Sequence, residues 1–375
     1  MNANDLKRCC VHLVLLLPLF AHPVAHAAPQ FTVRSIGVLP EDTSSIARAL
    51  NDAGQVIGTS YNATSSNAFR WSAVDGIELL PLPTGSGSLA GAAGINATGQ
   101  IVGSANFRGF IWDGPTVTDL SALPGGQNFV PFGIGNSGVI AGSGNPFETA
   151  AYIDGGTVTT LPKLDENDSF SRALSINARG DIVGQSGSSA VVWISNSPVE
   201  LSSNASAHAI NDTNGIAGNL AFTLPSQSFQ AVLWVSGVAN ILANPTGLDG
   251  SVAAGINDAN AVVGFGGPVG FFPAAAAVSH RALLWDDGVA YDLNNLTANG
   301  SEWTLLEAWD INNRGEIVGV GQHDSQGLRA FILTPVPEPA GAWTMLIGLA
   351  LLSAAVQRRS PVGFDVHTEG RSTNV

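Results

Sequence analysis

A phrase of ten residues that recurs seven times limits what this chain can fold into more than any other feature of its sequence. Its clearest copy, residues 175–184, is Ser-Ile-Asn-Ala-Arg-Gly-Asp-Ile-Val-Gly. The copies begin at Ala49, Gly94, Gly133, Ser175, Ala209, Gly255 and Asp310, at intervals of 34 to 55 residues. A repeat period of about 40 residues indicates a solenoid or a propeller, in which each unit buries its apolar face against its neighbours.

Each copy has the composition of a strand end, a tight turn and a second strand. An apolar residue precedes an Asn-x-x-Gly turn in most copies, and alternating apolar positions follow, as in Gln100–Gly103. Asn and Asp side chains bond their own backbone in turns, and Gly supplies positive φ. The phrase therefore predicts a hairpin.

A second cluster, which usually ends in Trp, follows each phrase. Its Trp-bearing copies are Ala68–Trp71, Gly109–Trp112, Ala190–Trp193, Ala231–Trp234 and Ala282–Trp285, with Ile153 and Leu333 in the Trp place of the third and seventh units. A turn such as Asp113-Gly114 and a further strand complete the unit. The sequence thus predicts an all-β fold, a seven-bladed β-propeller of four-stranded blades over residues 31–335. Because the Trp recurs at one structural place, we expect it to pack between blades.

The segment Phe31–Pro40 predicts how the ring closes. It is a strand with no hairpin phrase ahead of it, and the last unit lacks a fourth strand, since Phe331–Leu333 runs directly into Thr334-Pro335. Pairing the two would remove the open edges that a linear array exposes. The alternative is that this segment is a spacer after a leader peptide.

Antiparallel order sorts the loops between two faces of such a ring. The Asn-x-x-Gly and Asp-Gly turns fall on one face, the Asn-turn face, and the longer loops fall on the other, the long-loop face. Loops held on a rigid scaffold concentrate binding residues. We take Trp303, Trp309, Phe271 and Phe272 as candidate ligand-binding residues of the long-loop face. The alternative is that these aromatic side chains fold back over the blade ends.

The first 27 residues have the pattern of a secretory signal peptide, which is an N-terminal signal helix. Lys7-Arg8 precedes the apolar run Val11–Phe20, and Ala25-His26-Ala27 is a small-x-small cleavage site. Cleavage after Ala27 would remove both cysteines, Cys9 and Cys10, so no disulfide framework is expected in the mature chain.

The C-terminal residues 336–359 have the pattern of a sorting signal with a single membrane helix. Val336-Pro337-Glu338-Pro339 precedes the uncharged run Ala340–Val356, and Arg358-Arg359 follows it. A run of 17 residues spans about 25 Å as a helix, near the lower limit for crossing a bilayer. Arginines at its end favour a cytoplasmic C-terminus. Residues 360–375 form a polar tail that we expect to be disordered.

This tail resembles the PEP-CTERM sorting signal of Gram-negative bacteria, with Pro337, Glu338 and Pro339 in the motif and Arg358-Arg359 at the basic end. The resemblance implies an exosortase-type processing enzyme as a partner, often in species that make exopolysaccharide. The polar tail Ser360–Val375 departs from it, because such signals usually stop at the basic cluster. An ordinary single-pass anchor is the alternative.

The repeats are similar to the extracellular HAF-repeat family, through His280-Arg281-Ala282-Leu283-Leu284-Trp285 and through Asp119-Leu120 with Leu123–Gly126. That resemblance implies a secreted repeat domain and carries no catalytic residues.

The sequence offers little sign of catalytic or metal chemistry. His323-Asp324-Ser325 places triad residue types together, but neighbours in sequence do not make triad geometry. The Asn-Asp turns supply too few carboxylates for a calcium loop. We therefore expect no catalytic residue, metal or cofactor. A net charge of −14 disfavours nucleic acid as a partner.

Together these patterns predict a non-catalytic protein that is exported, passes through the inner membrane and associates with the cell envelope, the exopolysaccharide matrix or surface proteins. Two alternatives remain. One is a carbohydrate-binding propeller that uses the long-loop face, and the other is a hydrolase or lyase with an unrecognised site.

Overall fold

The computed structural model describes residues 28–144, 148–222, 228–268 and 279–337. Over these residues the chain forms 28 β-strands, and the segments Leu120–Ala122 and Leu293–Asn295 are short 3₁₀ helices. The predicted signal helix with its cleavage residues Ala25 and Ala27, the predicted membrane helix, and all residues from Glu338 onward lie outside the described residues. Within the described stretches, no helix has the length and apolarity needed to cross a bilayer.

The strands group into seven separate four-stranded antiparallel sheets, as the repeat predicts. Blade 1 contains β2 (Ser44–Leu50), β3 (Val56–Tyr61), β4 (Ser66–Ser72) and β5 (Gly76–Leu79). Blade 2 contains β6 (Ala90–Ile95), β7 (Ile101–Ala105), β8 (Arg108–Asp113) and β9 (Thr116–Asp119). Blade 3 contains β10 (Val130–Ile134), β11 (Ile140–Gly144), β12 (Thr149–Asp154) and β13 (Thr157–Thr160). Blade 4 contains β14 (Ser171–Ile176), β15 (Ile182–Ser186), β16 (Ser189–Ile194) and β17 (Ser197–Ser202).

Blade 5 contains β18 (Ala205–Ile210), β19 (Ile216–Phe222), β20 (Ser228–Val235) and β21 (Val238–Ile241). Blade 6 contains β22 (Gly250–Ile256), β23 (Val262–Gly267), β24 (Arg281–Asp286) and β25 (Val289–Asp292). Blade 7 contains β26 (Trp303–Ile311), β27 (Ile317–His323), β28 (Gly327–Pro335) and, as its fourth strand, β1 (Phe31–Gly37).

The N-terminal strand closes the ring, which confirms the predicted closure. β1 pairs antiparallel with β28, so that Phe31 lies opposite Pro335 and Ser35 opposite Phe331. The alternating burial along β1 places Phe31, Val33 and Ile36 inside. The two ends of the domain also meet, because the Val336 N–H donates to the carbonyl of Gln30 at 2.8 Å.

The Asn of the repeated phrase holds its own turn and then links one blade to the next. In blade 1 the Asn51 Oδ1 accepts the N–H groups of Ala53 and Gln55, both at 3.1 Å. Its Nδ2 donates across the blade boundary to the carbonyl of Asn96 at 3.1 Å. Equivalent links run from Asn96 to Gly135, Asn177 to Asn211, Asn211 to Asn257, Asn257 to Asn312 and Asn312 to Asn51. These amides form a ring of hydrogen bonds around the axis, and only Gly135, in blade 3, lacks the side chain.

The last glycine of the phrase allows a β-bulge in the first strand of every blade. In blade 1, Ala47 pairs with Gly58 and Ala49 with Ile57, so Arg48 is left without a partner. A Cβ on Gly58 would lie 2.0 Å from the Ile46 carbonyl oxygen, closer than any side chain allows. The same register shift occurs at the equivalent place in all seven first strands and turns one residue per blade out of the ladder there. In β26 a second shift lies between Leu305 and Glu307.

The recurring Trp side chains pack between neighbouring blades, as predicted. Trp112 lies in a cluster with Ile57 of the preceding blade, and its Nε1 donates to the Pro81 carbonyl at 2.7 Å. Trp193 and Trp285 donate in the same way to the carbonyls of Pro162 and Ala243. The Trp therefore contributes both apolar burial and a fixed anchor at each of these boundaries.

Candidate functional site in the central channel

The seven bulged residues surround the axis of the ring and face into its central channel. One comes from each blade: Arg48, Ala93, Phe132, Leu174, His208, Ala254 and Trp309. They differ in size, polarity and charge, although the hairpins that carry them repeat. Because the bulge removes each of them from strand pairing, their side chains are available for other contacts.

On the long-loop side of these residues the channel widens into a cavity of about 540 Å³. This volume is within the range of small-molecule sites. Its walls are mostly apolar and include Phe132, Leu174, Val252 and Phe265. A neighbouring cavity of about 490 Å³ shares Leu174, His208 and Val252 with it and reaches Arg172 and Phe229.

Trp309 is the largest side chain in the cavity wall. The centroids of the Trp309 and Phe265 rings lie 5.5 Å apart. The guanidinium carbon of Arg48 lies 4.2 Å from the centroid of the Trp309 ring. The Nε1–H of Trp309 is buried and has no hydrogen-bond acceptor among the described residues. The Nε1 atom is enclosed by protein atoms, so the indole offers the cavity an aromatic surface rather than a hydrogen-bond donor.

Arg48 brings a positive charge to the channel. Burial lowers the pKa of Arg48, and the charge of Glu307 acts in the opposite direction. No ion pair joins the two side chains within the described residues, and Glu307 Oε1 lies instead 2.8 Å from His280 Nδ1. The imidazole of His280 in turn stacks on Phe265, with centroids 5.3 Å apart.

His208 faces the same cavity as a neutral imidazole. Its Nδ1 lies 2.8 Å from the Ala253 carbonyl oxygen, which can only accept, so this nitrogen carries the proton. Burial lowers the pKa of His208, and the hydrogen bond to Ala253 opposes that shift in part. The remaining nitrogen, Nε2, is therefore an acceptor.

On the Asn-turn side of the bulged residues, the first residues of the repeated phrases bring neighbouring blades into close contact. A Cβ on Gly94 would lie 3.1 Å from the Cα of Gly133, and one on Gly255 would lie 2.7 Å from the Cα of Asp310. Asp310 is the one acidic residue at this position of the repeat. Its carboxylate accepts the N–H of Leu50, in blade 1, at 3.0 Å and that of Ile311 at 2.9 Å.

The environment of Asp310 raises its pKa to about 7. Burial is the main cause of this rise in pKa, the two backbone N–H groups oppose it, and repulsion from Asp52 adds to it. Asp310 therefore changes its protonation state near neutral pH, at a position that lines the channel.

The mouth on the Asn-turn face is polar and acidic. Asp52, Asp212 and Asp258 line it, and each accepts the backbone N–H of the equivalent residue in the preceding blade. Their positions are thus explained by contacts between blades. In the part of the chain that the structure describes, no group of three or more His, Cys, Asp or Glu side chains has metal-site geometry.

The structure separates the predicted ligand-binding residues. Trp309 lies in the channel, whereas Trp303 packs into the core of blade 7, edge-on to His323 at 4.9 Å and to Phe331 at 6.3 Å. Phe271 and Phe272 lie outside the described residues. Of the sorting motif, Val336 and Pro337 are described and follow β28, whereas Glu338, Pro339, Arg358 and Arg359 lie outside the described residues.

The triad residue types near His323 also come together. Ser325 Oγ lies 3.3 Å from His323 Nδ1, and Glu302 lies 3.6 Å from Nε2. The backbone N–H of Ser325 approaches the same Nδ1 at 3.3 Å, so the imidazole stabilises its own turn. We interpret this cluster as a turn contact on the long-loop face.

Sequence reasoning did not single out Arg48 or His208. The signal that would have found them is positional, since each channel residue immediately precedes a copy of the repeated phrase. The invariant tenth-position glycine marks the bulge, and the bulge turns that preceding residue toward the axis.

Comparisons with protein-family models and with curated proteins give no match. Among solved structures, the chain is similar to the extracellular domain of a one-component system from B. thetaiotaomicron, with a TM-score of 0.33 and 9% sequence identity. The alignment covers 80% of this chain and 39% of that chain, so this chain spans well under half of its neighbour's length.

Proposed function

We propose that this protein is an exported, non-catalytic propeller that binds a glycan in the cavity at the centre of its long-loop face. The observation that carries the proposal is the set of channel residues around that cavity. Seven hairpins of similar design present six kinds of side chain to one space, since only Ala93 and Ala254 are alike. The hairpins repeat because they build the scaffold, whereas the residues that line the channel vary.

The chemistry of the lining supports binding of a partly polar molecule. Aromatic and aliphatic side chains share the lining with two hydrogen-bonding groups, the Arg48 guanidinium and His208 Nε2. Small-molecule sites combine apolar walls with a few placed polar groups in this way. Sugars offer the matching arrangement, because their rings carry apolar faces and hydroxyl edges.

A matched pair of substitutions in β26 tests this proposal. We expect Trp309→Phe to weaken retention of the full chain on a glycan array or on exopolysaccharide several-fold. Trp303→Phe makes the same chemical change outside the cavity, and we expect it to leave retention unchanged. Equal loss in both variants, or retention by neither variant nor wild type, would count against a binding site in the channel.

The same samples test the alternative that the protein is a hydrolase or lyase. Release of shortened glycan by the wild-type chain, abolished by Asp310→Asn, would favour an enzyme over a binding protein. We expect no release, because the channel residues offer binding groups without a pair of opposed carboxylates.

We further propose that the C-terminal segment sorts the protein to the cell envelope through an exosortase-type enzyme. Support comes from the sequence pattern of Val336-Pro337-Glu338-Pro339, the apolar run and Arg358-Arg359. We expect Glu338→Ala to hold the uncleaved chain in the inner-membrane fraction, while Ser360→Ala behaves as wild type. Identical fractionation of Glu338→Ala and wild type would contradict the sorting role.

A further inference from the structure

The long-loop end of the channel carries positive charge, although the chain as a whole is negatively charged. The protein has 29 acidic and 15 basic residues, with a net charge of −14. Yet Arg48 and Arg172 are the charged side chains that line the two long-loop cavities, and none of the described lining residues there is acidic. The carboxylates lie at the other end, where Asp310, Asp52, Asp212 and Asp258 line the channel toward the Asn-turn mouth.

This arrangement gives the channel an electrostatic direction. An anion that enters from the long-loop face meets guanidinium groups first and is stopped by the carboxylates below them. A cation entering the same way meets the arginines at short range in a site of low dielectric, where like charges repel strongly. The cavity therefore selects against cations.

Arg48 has unused capacity for an anion. Glu307, whose negative charge acts on Arg48, is held by His280 at 2.8 Å and forms no ion pair with Arg48 in the described structure. The guanidinium instead lies against the Trp309 ring at 4.2 Å. Arg carries five N–H donors in a planar fork that matches a carboxylate. Stacking on an aromatic ring fixes the fork while leaving its donors unbonded.

The Trp309 indole on which Arg48 stacks is part of the same cavity wall. The cavity thus presents one guanidinium together with an apolar wall made by Phe132, Leu174 and Val252. A dianion such as phosphate would leave charge unpaired against that wall, at a desolvation cost. A monoanionic group on a ring with an apolar face can place its charge at the guanidinium and its ring face against the apolar wall.

We infer that the cavity binds a carboxylate-bearing sugar, with the carboxylate at Arg48 and one ring face against the apolar wall. This inference rests on the proposed function and names its ligand class. The acid can be a free uronic acid or a uronic acid residue of an acidic polysaccharide, since both present the same group.

Titration calorimetry on the full chain tests the inference with D-glucuronate, its methyl ester and D-glucose. The three probes share a ring, and only the first is charged. We expect glucuronate to bind roughly tenfold tighter than the two neutral sugars, the size of one charge-assisted contact. The methyl ester changes the ligand alone, so this comparison holds even if a protein variant fails to fold.

Protein variants then test whether the charge of Arg48 causes the preference for glucuronate. Arg48→Gln keeps hydrogen-bonding capacity and removes the charge, and we expect it to abolish the preference for glucuronate. Arg70→Gln is the matched control, because Arg70 lies outside the cavity in an exposed pair with Glu78. Binding of a uronate trimer tighter than the monomer would identify polysaccharide as the source, and equal binding would identify the free acid.

The outcomes separate this inference from the proposed function. Equal affinity for glucuronate, its ester and glucose, or a preference that survives Arg48→Gln, overturns the acidic class while glycan binding in the cavity stands. Absence of binding to all probes and to every glycan on the array overturns both.

Discussion

The side-chain amide of Asn312 donates to the backbone carbonyl of Asn51 at 3.1 Å and so joins the last blade to the first. This bond repeats between blades around the ring and is interrupted only in blade 3, where Gly135 stands in the Asn place. The missing side chain at Gly135 makes it possible to measure how much one such hydrogen bond contributes to the stability of the fold.

Gly135→Asn is expected to raise the free energy of unfolding by about 1 kcal/mol, because it restores one buried hydrogen bond. A Cβ on Gly135 would meet the Asn177 carbonyl oxygen at 3.6 Å, an ordinary contact, so the side chain fits. Urea unfolding measures the change. Gly135→Ala is the control, since it limits the unfolded chain equally and adds no amide. If the Asn variant is no more stable than the Ala variant, the ring of amides contributes nothing.

Gly142→Ala is expected to destabilise the fold by roughly 2 kcal/mol or more, because its Cβ would lie 2.4 Å from the Val130 carbonyl oxygen at the bulge of blade 3. Gly144→Ala is the matched control, two residues further along β11, where a Cβ meets nothing within 4 Å. Thermal unfolding of the two variants gives the comparison. Similar losses in both would show that the bulge does not require glycine.

Phe31→Ala is expected to cost about 3–5 kcal/mol of unfolding free energy, since this side chain is 3% exposed in the core of blade 7. Thr32→Ala, on the exposed side of the same strand, should cost less than about 1 kcal/mol. Denaturant midpoints compare the two. A tolerant Phe31 would mean that the closing strand adds little to the stability of the ring.

Asp310→Asn is expected to change how stability depends on pH. The pKa of Asp310 is raised from 3.8 to about 7 in the folded protein, so the folded state binds the proton more tightly than the unfolded state. This group therefore costs nothing below about pH 4, and its cost grows as pH rises to about 7. Because the channel admits water, we expect a total on the order of 2 kcal/mol.

Urea midpoints of the wild-type chain and of Asp310→Asn at several pH values from 4 to 8 check that expectation. The Asn variant should gain stability relative to wild type as pH rises, on top of any constant loss from its weaker acceptors. A constant difference across the range would mean that Asp310 ionises normally in the fold.

Much of the fold could be predicted because its local and long-range signals agree. The phrase at residues 175–184 marks a turn, a strand partner and a blade boundary at once, and its sevenfold repetition sets the blade count. The unpaired strand Phe31–Pro40 and the missing fourth strand of the last unit predict each other, and β1 pairs with β28.

The channel could not be predicted in the same way, because a bulge breaks the alternation on which strand patterns depend. In β14 and β18 the burial alternates up to Ala173 and Ala207 and then shifts by one residue. Leu174 and His208 therefore look like ordinary strand positions in the sequence. Phe129 shows the reverse problem, since its place in a loop suggests exposure and its side chain is fully buried.

The hydrogen bond between Gln30 and Val336 also places both ends of the propeller domain at one position on the ring. Pro335 lies beside Gly315, in the turn of blade 7 on the Asn-turn face, and Phe31 lies opposite Pro335. The polypeptide thus enters and leaves the domain on the Asn-turn face of blade 7, on the side of the ring opposite the cavity. A segment that anchors the domain from this point would therefore hold it with the acidic Asn-turn face toward the anchor. The cavity on the long-loop face, which Arg48 and Arg172 line, would then open away from the anchor.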